Sequence, residues 1–185
     1  MDFESVFRLL LQHFEKYGVR FALMGGFALH AFGFTRATQD IDILVDKTDM
    51  PKVKNLMDSL GYELLHESED VSNFLGKMKE LGRVDFLHAH RQYAKNMLKR
   101  AKVVPLLNGQ FQVRVILPED MIGLKVQSSS NDPERYHQDM ADIESLIRTQ
   151  GKNLDLDLVK EYFTLFGREQ EFQEILARKY NADKT

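Results

Sequence analysis

FALMGGFALHAFGFTRATQDIDILV, residues Phe21 to Val45, is the stretch on which the fold turns. It opens with a short apolar run, Phe21 to Met24, that stops at Gly25-Gly26 and reads as a strand ending in a glycine turn. An apolar, helix-like segment follows, then a polar turn containing Arg36 and Thr38, then Asp40-Ile41-Asp42 at the head of a second apolar run. At positions i and i+2 of a strand, Asp40 and Asp42 leave from one face, while Ile41, Ile43 and Val45 point the other way into packing.

These residue types suit particular chemistry. A strand that ends in two glycines before a helix lets a ligand come close to the backbone, and it aims free N–H groups and the positive helix end at that ligand. Gly25 and Gly26 are thus candidate phosphate contacts. Two carboxylates on one strand face repel each other unless a proton or a cation lies between them, and Mg²⁺ is the hard, oxygen-seeking ion for such a place. The chain has no cysteine, which excludes disulfides and thiolate metal sites. A third acid, Asp85, stands in Arg83-Val84-Asp85-Phe86-Leu87 with apolar residues on both sides. If that strand pairs beside the Asp40–Asp42 strand, three carboxylates meet. Three carboxylates can hold two metal ions, which would activate an attacking hydroxyl and steady a leaving pyrophosphate.

Outward from this stretch, residues 2–17 place Phe3, Val6, Phe7, Leu10, Phe14 and Tyr17 at helical spacing, with Gly18 as a stop. Thr48-Asp49-Met50-Pro51 opens a helix that ends at Gly61. Tyr62 to His66, Val71 to Lys77 and Arg83 to His88 read as strands, and residues 91–100 as a helix. Asn108-Gly109 between two apolar runs signals a hairpin. From Pro118 the pattern is helical, with a polar break expected over Ser128 to Asn131. The expected class is α+β: a mixed sheet flanked by helices over residues 1–117, and a helical C-terminal part over 118–185. A formal charge of −3 gives no global attraction for nucleic acid. No apolar run approaches the roughly 18 residues needed to span a bilayer, and nothing resembles a signal peptide, so a cytoplasmic protein without membrane contact is expected.

Taken together, Gly25-Gly26, a helix, Arg36-x-Thr38-x-Asp40-Ile-Asp42 and then Asp85 resemble the polymerase-beta-like nucleotidyltransferase superfamily. The Arg and Thr before the acids look like its small bacterial branch of abortive-infection toxin and minimal nucleotidyltransferases. Leu124-Lys125, then Arg135, then Asp139-Met-Ala-Asp142-Ile resembles that branch's downstream pattern, although Gln138 stands where many relatives carry a basic residue. The resemblance implies a nucleotidyltransferase-type fold and an enzyme that moves an NMP from an NTP to a hydroxyl. The acceptor would be tRNA or other RNA, a protein or a small molecule. Asp40, Asp42 and Asp85 would be catalytic and would bind Mg²⁺, as two ions. Gly25, Gly26, Arg36, Thr38, Lys125, Arg135 and Asp139 would bind the nucleotide. It also implies a possible toxin role with a cognate antitoxin as partner.

Blander readings stand beside these. Arg135, Asp139 and Asp142, spaced i, i+4 and i+7, could be a surface ion-pair row. Arg91, Lys95, Lys99 and Lys102 read as one basic helical stripe, a nucleic-acid footprint or a solvated face. His88 and His90 alternate at a strand end, as metal ligands or as packed and surface residues. The competing function is an NTP-binding regulatory or antitoxin module with the same fold and no turnover.

Overall fold

The structure is a computed structural model that describes residues 1–34 and 38–182, with side chains through residue 178. Two compact units divide the chain, Met1–Leu117 and Pro118–Thr185. In the first, the elements run α1 (Phe3–Lys16), β1 (Phe21–Met24), α2 (Gly25–Ala31), β2 (Asp40–Asp46), α3 (Met50–Ser59), β3 (Tyr62–Glu67), β4 (Val71–Gly76), β5 (Arg83–Ala89), α4 (Gln92–Arg100), β6 (Lys102–Leu106) and β7 (Phe111–Val115). The seven strands form one mixed sheet in the order β3-β4-β5-β2-β1-β7-β6. β1 and β2 pair antiparallel, and each meets a parallel partner on its other side, β7 for β1 and β5 for β2.

Side-chain alternation decides which face of this sheet is dry. Ile41, Ile43 and Val45 of β2, Val84 and Phe86 of β5, and Phe74 of β4 are all buried. Phe14 of α1 meets this layer, its ring centroid 4.8 Å from Phe21 and 6.3 Å from Phe86. Asp2 caps α1 by accepting from the Ser5 N–H, which frees the Val6, Phe7, Leu10 and Phe14 stripe to pack. Asp40 and Asp42, one residue out of phase, leave from the opposite face. The Asn108-Gly109 signal is a tight β6–β7 turn in which Leu107, Asn108 and Gly109 all take positive φ.

The second unit is helical: α5 (Pro118–Asn131), α6 (Tyr136–Gln150), α7 (Leu156–Leu165) and α8 (Glu169–Ala182). The break expected over Ser128 to Asn131 does not occur, because α5 runs through it. Ser129 and Ser130 turn their hydroxyls back onto the Val126 carbonyl, and Arg168 donates to that carbonyl and to both hydroxyls. A tertiary guanidinium thus satisfies groups that would otherwise favour a turn. Tyr162 donates to buried Asp120 at 2.7 Å, and its ring lies flat against Gly123, where a Cβ would come within 2.7 Å of ring carbons. Among the described residues no helix is long and apolar enough to cross a membrane.

Candidate active site

Strand register brings Asp42 beside Asp85. β2 and β5 run parallel with Asp42 opposite Asp85 and Asp40 opposite Arg83. Neighbouring strands lie roughly 4.8 Å apart, so the Asp42 and Asp85 side chains rise side by side from one face. On the other flank Asp42 pairs with Met24, the residue that precedes the glycine turn.

Gly25 has φ +64°, and a Cβ built there would lie 2.6 Å from Cγ of Asp42 and nearer still to its Oδ2. Two demands therefore converge on this glycine: a left-handed backbone, and room for a carboxylate where any side chain would begin. Gly26 is restricted differently, since its Cβ would come within 2.6 Å of Cβ and Oγ1 of Thr38. Thr38 in turn donates to the Asp40 carbonyl at 3.1 Å, tying the approach to β2 against the glycine turn. Arg36 lies outside the described residues.

Asp85 is held by two residues that sequence reasoning did not assign to the site. Asn73 Nδ2 on β4 donates to Asp85 Oδ1 at 2.7 Å, and Arg83 Nε donates to both carboxylate oxygens at 2.9 Å. Asn73 is the cross-strand partner of Asp85. The hydrogen bond to Asp85 is the largest cause that raises the Arg83 pKa above its usual value; burial opposes it, and the charges of Asp85, Asp40 and Asp42 add to it. All three carboxylates thus act on one guanidinium, which is the internal counter-ion of the acidic face. The one available signal for Arg83 was its i, i+2 spacing from Asp85; for Asn73 there was none.

As arranged, no three Asp, Glu or His side chains among the described residues are grouped closely enough to hold a metal ion. The donor chemistry nonetheless fits a hard divalent cation, since the face presents the carboxylate oxygens of Asp40, Asp42 and Asp85. His88 belongs to packing. It is buried, 3.0 Å from Ser72 Oγ through Nε2 and 3.0 Å from the Glu69 carbonyl through Nδ1. Burial pushes its pKa down. His90 pairs with Asp70 at 2.6 Å.

In the helical unit, Lys125 Nζ bridges Asp139 at 3.1 Å and Asp142 at 2.6 Å, and Arg135 Nε approaches Asp139 at 3.5 Å. These residues form an ion-pair network around Asp139, which is 1% exposed and whose Oδ2 lacks a hydrogen-bond donor. The basic stripe is shorter than expected. α4 ends at Arg100, Lys102 begins β6, and Arg91 is drawn to Asp70, leaving Lys95 and Lys99 on the helix.

A glycine turn against one aspartate, two aspartates on a central strand and a third on its parallel neighbour define the nucleotidyltransferase class. The family model described as uncharacterised nucleotidyltransferase matches residues 4–178, and the chain belongs to that family. It is an α+β enzyme of nucleotidyltransferase type. The fold is similar to that of ANT(2'')-Ia, solved in complex with adenylyl-2''-tobramycin, at TM-score 0.69 and 14% identity over 88% of this chain and 98% of that one. It is also similar to the lincosamide antibiotic adenylyltransferase LnuA, lincomycin-bound, at TM-score 0.56 and 19% identity over 77% and 97% of the chains. A third likeness is to an antigenic nucleotidyltransferase-like protein from Paracoccidioides brasiliensis, at TM-score 0.58 and 18% identity over 95% and 92%. No curated protein matches the chain significantly.

Proposed function

We propose that this chain is a Mg²⁺-dependent enzyme that moves an NMP from an NTP to a hydroxyl of a small molecule. The observation that carries this reading is the register of Asp42 against Asp85, with Gly25 packed on the Asp42 carboxylate. Asp40, Asp42 and Asp85 would hold the metal, which when bound would neutralise phosphate charge and lower the pKa of the attacking hydroxyl. Gly25 and Gly26 leave room for phosphate oxygens beside the backbone, and Thr38 fixes that turn. Asp85 takes the acceptor's proton while the acceptor oxygen bonds to the α-phosphorus and the bond to pyrophosphate breaks. Asn73 and Arg83 orient its carboxylate for that task.

The small-molecule acceptor is favoured over RNA or protein by likeness to ANT(2'')-Ia and LnuA, whose structures hold an adenylylated antibiotic and lincomycin. Lys125, Arg135 and Asp139 are proposed to tune phosphate binding through the charge of their network. The need for an intracellular NTP supply suits a cytoplasmic enzyme.

The test is pyrophosphate release with each NTP, Mg²⁺ and a panel of aminoglycosides, lincosamides and total tRNA. Release that needs both metal and a small-molecule hydroxyl, and that disappears in Asp42→Asn, is the expected outcome. The proposal fails if no NTP binds and an Asp40→Ala, Asp42→Ala variant behaves like the parent. NTP binding without turnover across the panel would favour the regulatory module. The toxin role, with a cognate antitoxin, is a separate proposal: expression should arrest growth and Asp42→Asn should relieve it, whereas unaffected growth in several hosts removes it.

A further inference from the structure

Beyond the acidic face, the first unit has a pocket of about 650 Å³ whose wall is cationic. Arg20, Lys95, Lys99 and Arg114 line it with a single carboxylate, Asp46, and Val19, Phe21 and Leu98 supply apolar surface. Asp46 lies four residues beyond Asp42 along β2, roughly 13 Å at strand rise, and no member of the acidic set lines the pocket.

The charges in it are unevenly compensated. Arg20 is spent on Asp46 and Asp49. Arg114 donates to the carbonyls of Leu98 and Ala101, which hold the guanidinium in place without cancelling its charge. Lys95 and Lys99 have no carboxylate partner among the described residues, and they stand i, i+4 on one turn of α4. Like charges at that spacing repel, although Lys99 sits in the last turn of α4, where the helix dipole favours a cation. Lys95, Lys99 (both exposed) and Arg114 thus face one cavity without a carboxylate partner among the described residues, a surrounding that favours an anion. The volume lies in the range of small-ligand sites, and a concave shape with an apolar wall suits a compact anion better than an extended strand.

We infer that this pocket is a second, metal-independent site for a nucleoside polyphosphate. Lys95, Lys99 and Arg114 hold the phosphates, and Val19, Phe21 and Leu98 shelter the nucleoside. It lies apart from the proposed NTP–metal site, so ligand here would act on the enzyme without being its substrate.

The test uses ¹⁵N-labelled full chain in EDTA, where the acidic face has no metal to draw phosphate. Added ATP should shift the amides of Val19, Phe21, Lys95, Leu98 and Lys99, and should bind more tightly than inorganic tripolyphosphate. A Lys95→Gln, Lys99→Gln variant should bind ATP about tenfold more weakly, with the Gly25, Asp42 and Asp85 resonances unmoved. The inference is overturned if shifts centre on Gly25 to Asp42 and Asp85, or if the double variant binds equally well. It is also overturned if tripolyphosphate matches ATP, or if a single-stranded oligouridylate binds this face more tightly than ATP. None of these outcomes touches the metal-dependent transfer proposed above, which pyrophosphate release tests independently.

Discussion

Gly25→Ala is the sharpest probe of the acidic face, because it adds one methyl group against one carboxylate. Its Cβ would lie 2.6 Å from Cγ of Asp42 and closer still to Oδ2, so Cγ must retreat by about 0.8 Å to reach 3.4 Å of ordinary contact and the carboxylate oxygen by more than 1 Å. The backbone of β1 and β2 is fixed by their register, so the Asp42 side chain must yield. Leaving its rotamer costs about 1 kcal/mol, and alanine in the left-handed region costs about 1–2 kcal/mol more. A total of roughly 2–3 kcal/mol should lower Tm by about 5–10 °C in a chain of this size. A displacement near 1 Å at a reacting group should cut turnover about 100-fold.

Gly109→Ala separates strain from displacement. Gly109 has φ +84° with nothing within 4 Å of where a Cβ would stand, so that variant should lose about 1 kcal/mol and keep its activity. Thermal denaturation and pyrophosphate release measure both quantities. Gly25→Ala turning over within threefold of the parent, or Gly109→Ala losing as much activity, would refute the reasoning.

Asn73→Ala should lower kcat about 10-fold to 100-fold with KM for NTP and Tm nearly unchanged; an unaltered kcat would remove Asn73 from the mechanism. Lys125→Met strands buried Asp139 without its closest cation and should destabilise the protein by about 3 kcal/mol. Adding Asp139→Leu should restore most of that loss in urea denaturation, and a double variant weaker than the single would contradict the ion-pair account. His88 has a folded-state pKa below its ordinary 6.5, chiefly through burial. Below about pH 6.5 the unfolded chain binds a proton that the folded chain refuses, so His88's contribution is complete above that pH and is lost as pH falls. Urea titrations from pH 8 to 5 should show a shallower decline in His88→Gln than in the parent, and equal slopes would rule His88 out as the cause.

The acidic face was legible to the extent that it followed from local periodicity. Asp-Ile-Asp on an apolar run has one strand reading, and the Gly-Gly upstream has a steric reason that sequence order alone suggests. Asn73 was illegible because it reaches Asp85 through a hairpin register, and no spacing rule links residues 12 apart on different strands. Arg83 was visible as a neighbour of Asp85, but its service to all three acids depends on β5 lying beside β2. The Ser128 to Asn131 segment was misread as a break for a similar reason. Its polar groups are answered by Arg168, about 40 residues later, and propensity counted them as unanswered. Helix ends were misleading for the basic stripe, since Lys102 continues the helical spacing while belonging to a strand.

The two parallel partnerships of the central antiparallel pair, β1 and β2, also bear on how the chain is made. β1 and β2 are consecutive strands joined through α2, yet β5 and β7, which cover their outer edges, emerge only at Arg83–Ala89 and Phe111–Val115. At about 5–20 residues per second, the roughly 70 residues between Val45 and Val115 take on the order of 4–14 s to synthesise. For that interval the central strands of the sheet have bare edges, able to pair with any other strand nearby. The acidic face is equally incomplete, because Asp85 arrives with β5. A nascent chain therefore passes through a sticky stage before it can become a catalyst, and chaperone dependence during synthesis should be greatest while β5 is still inside the ribosome.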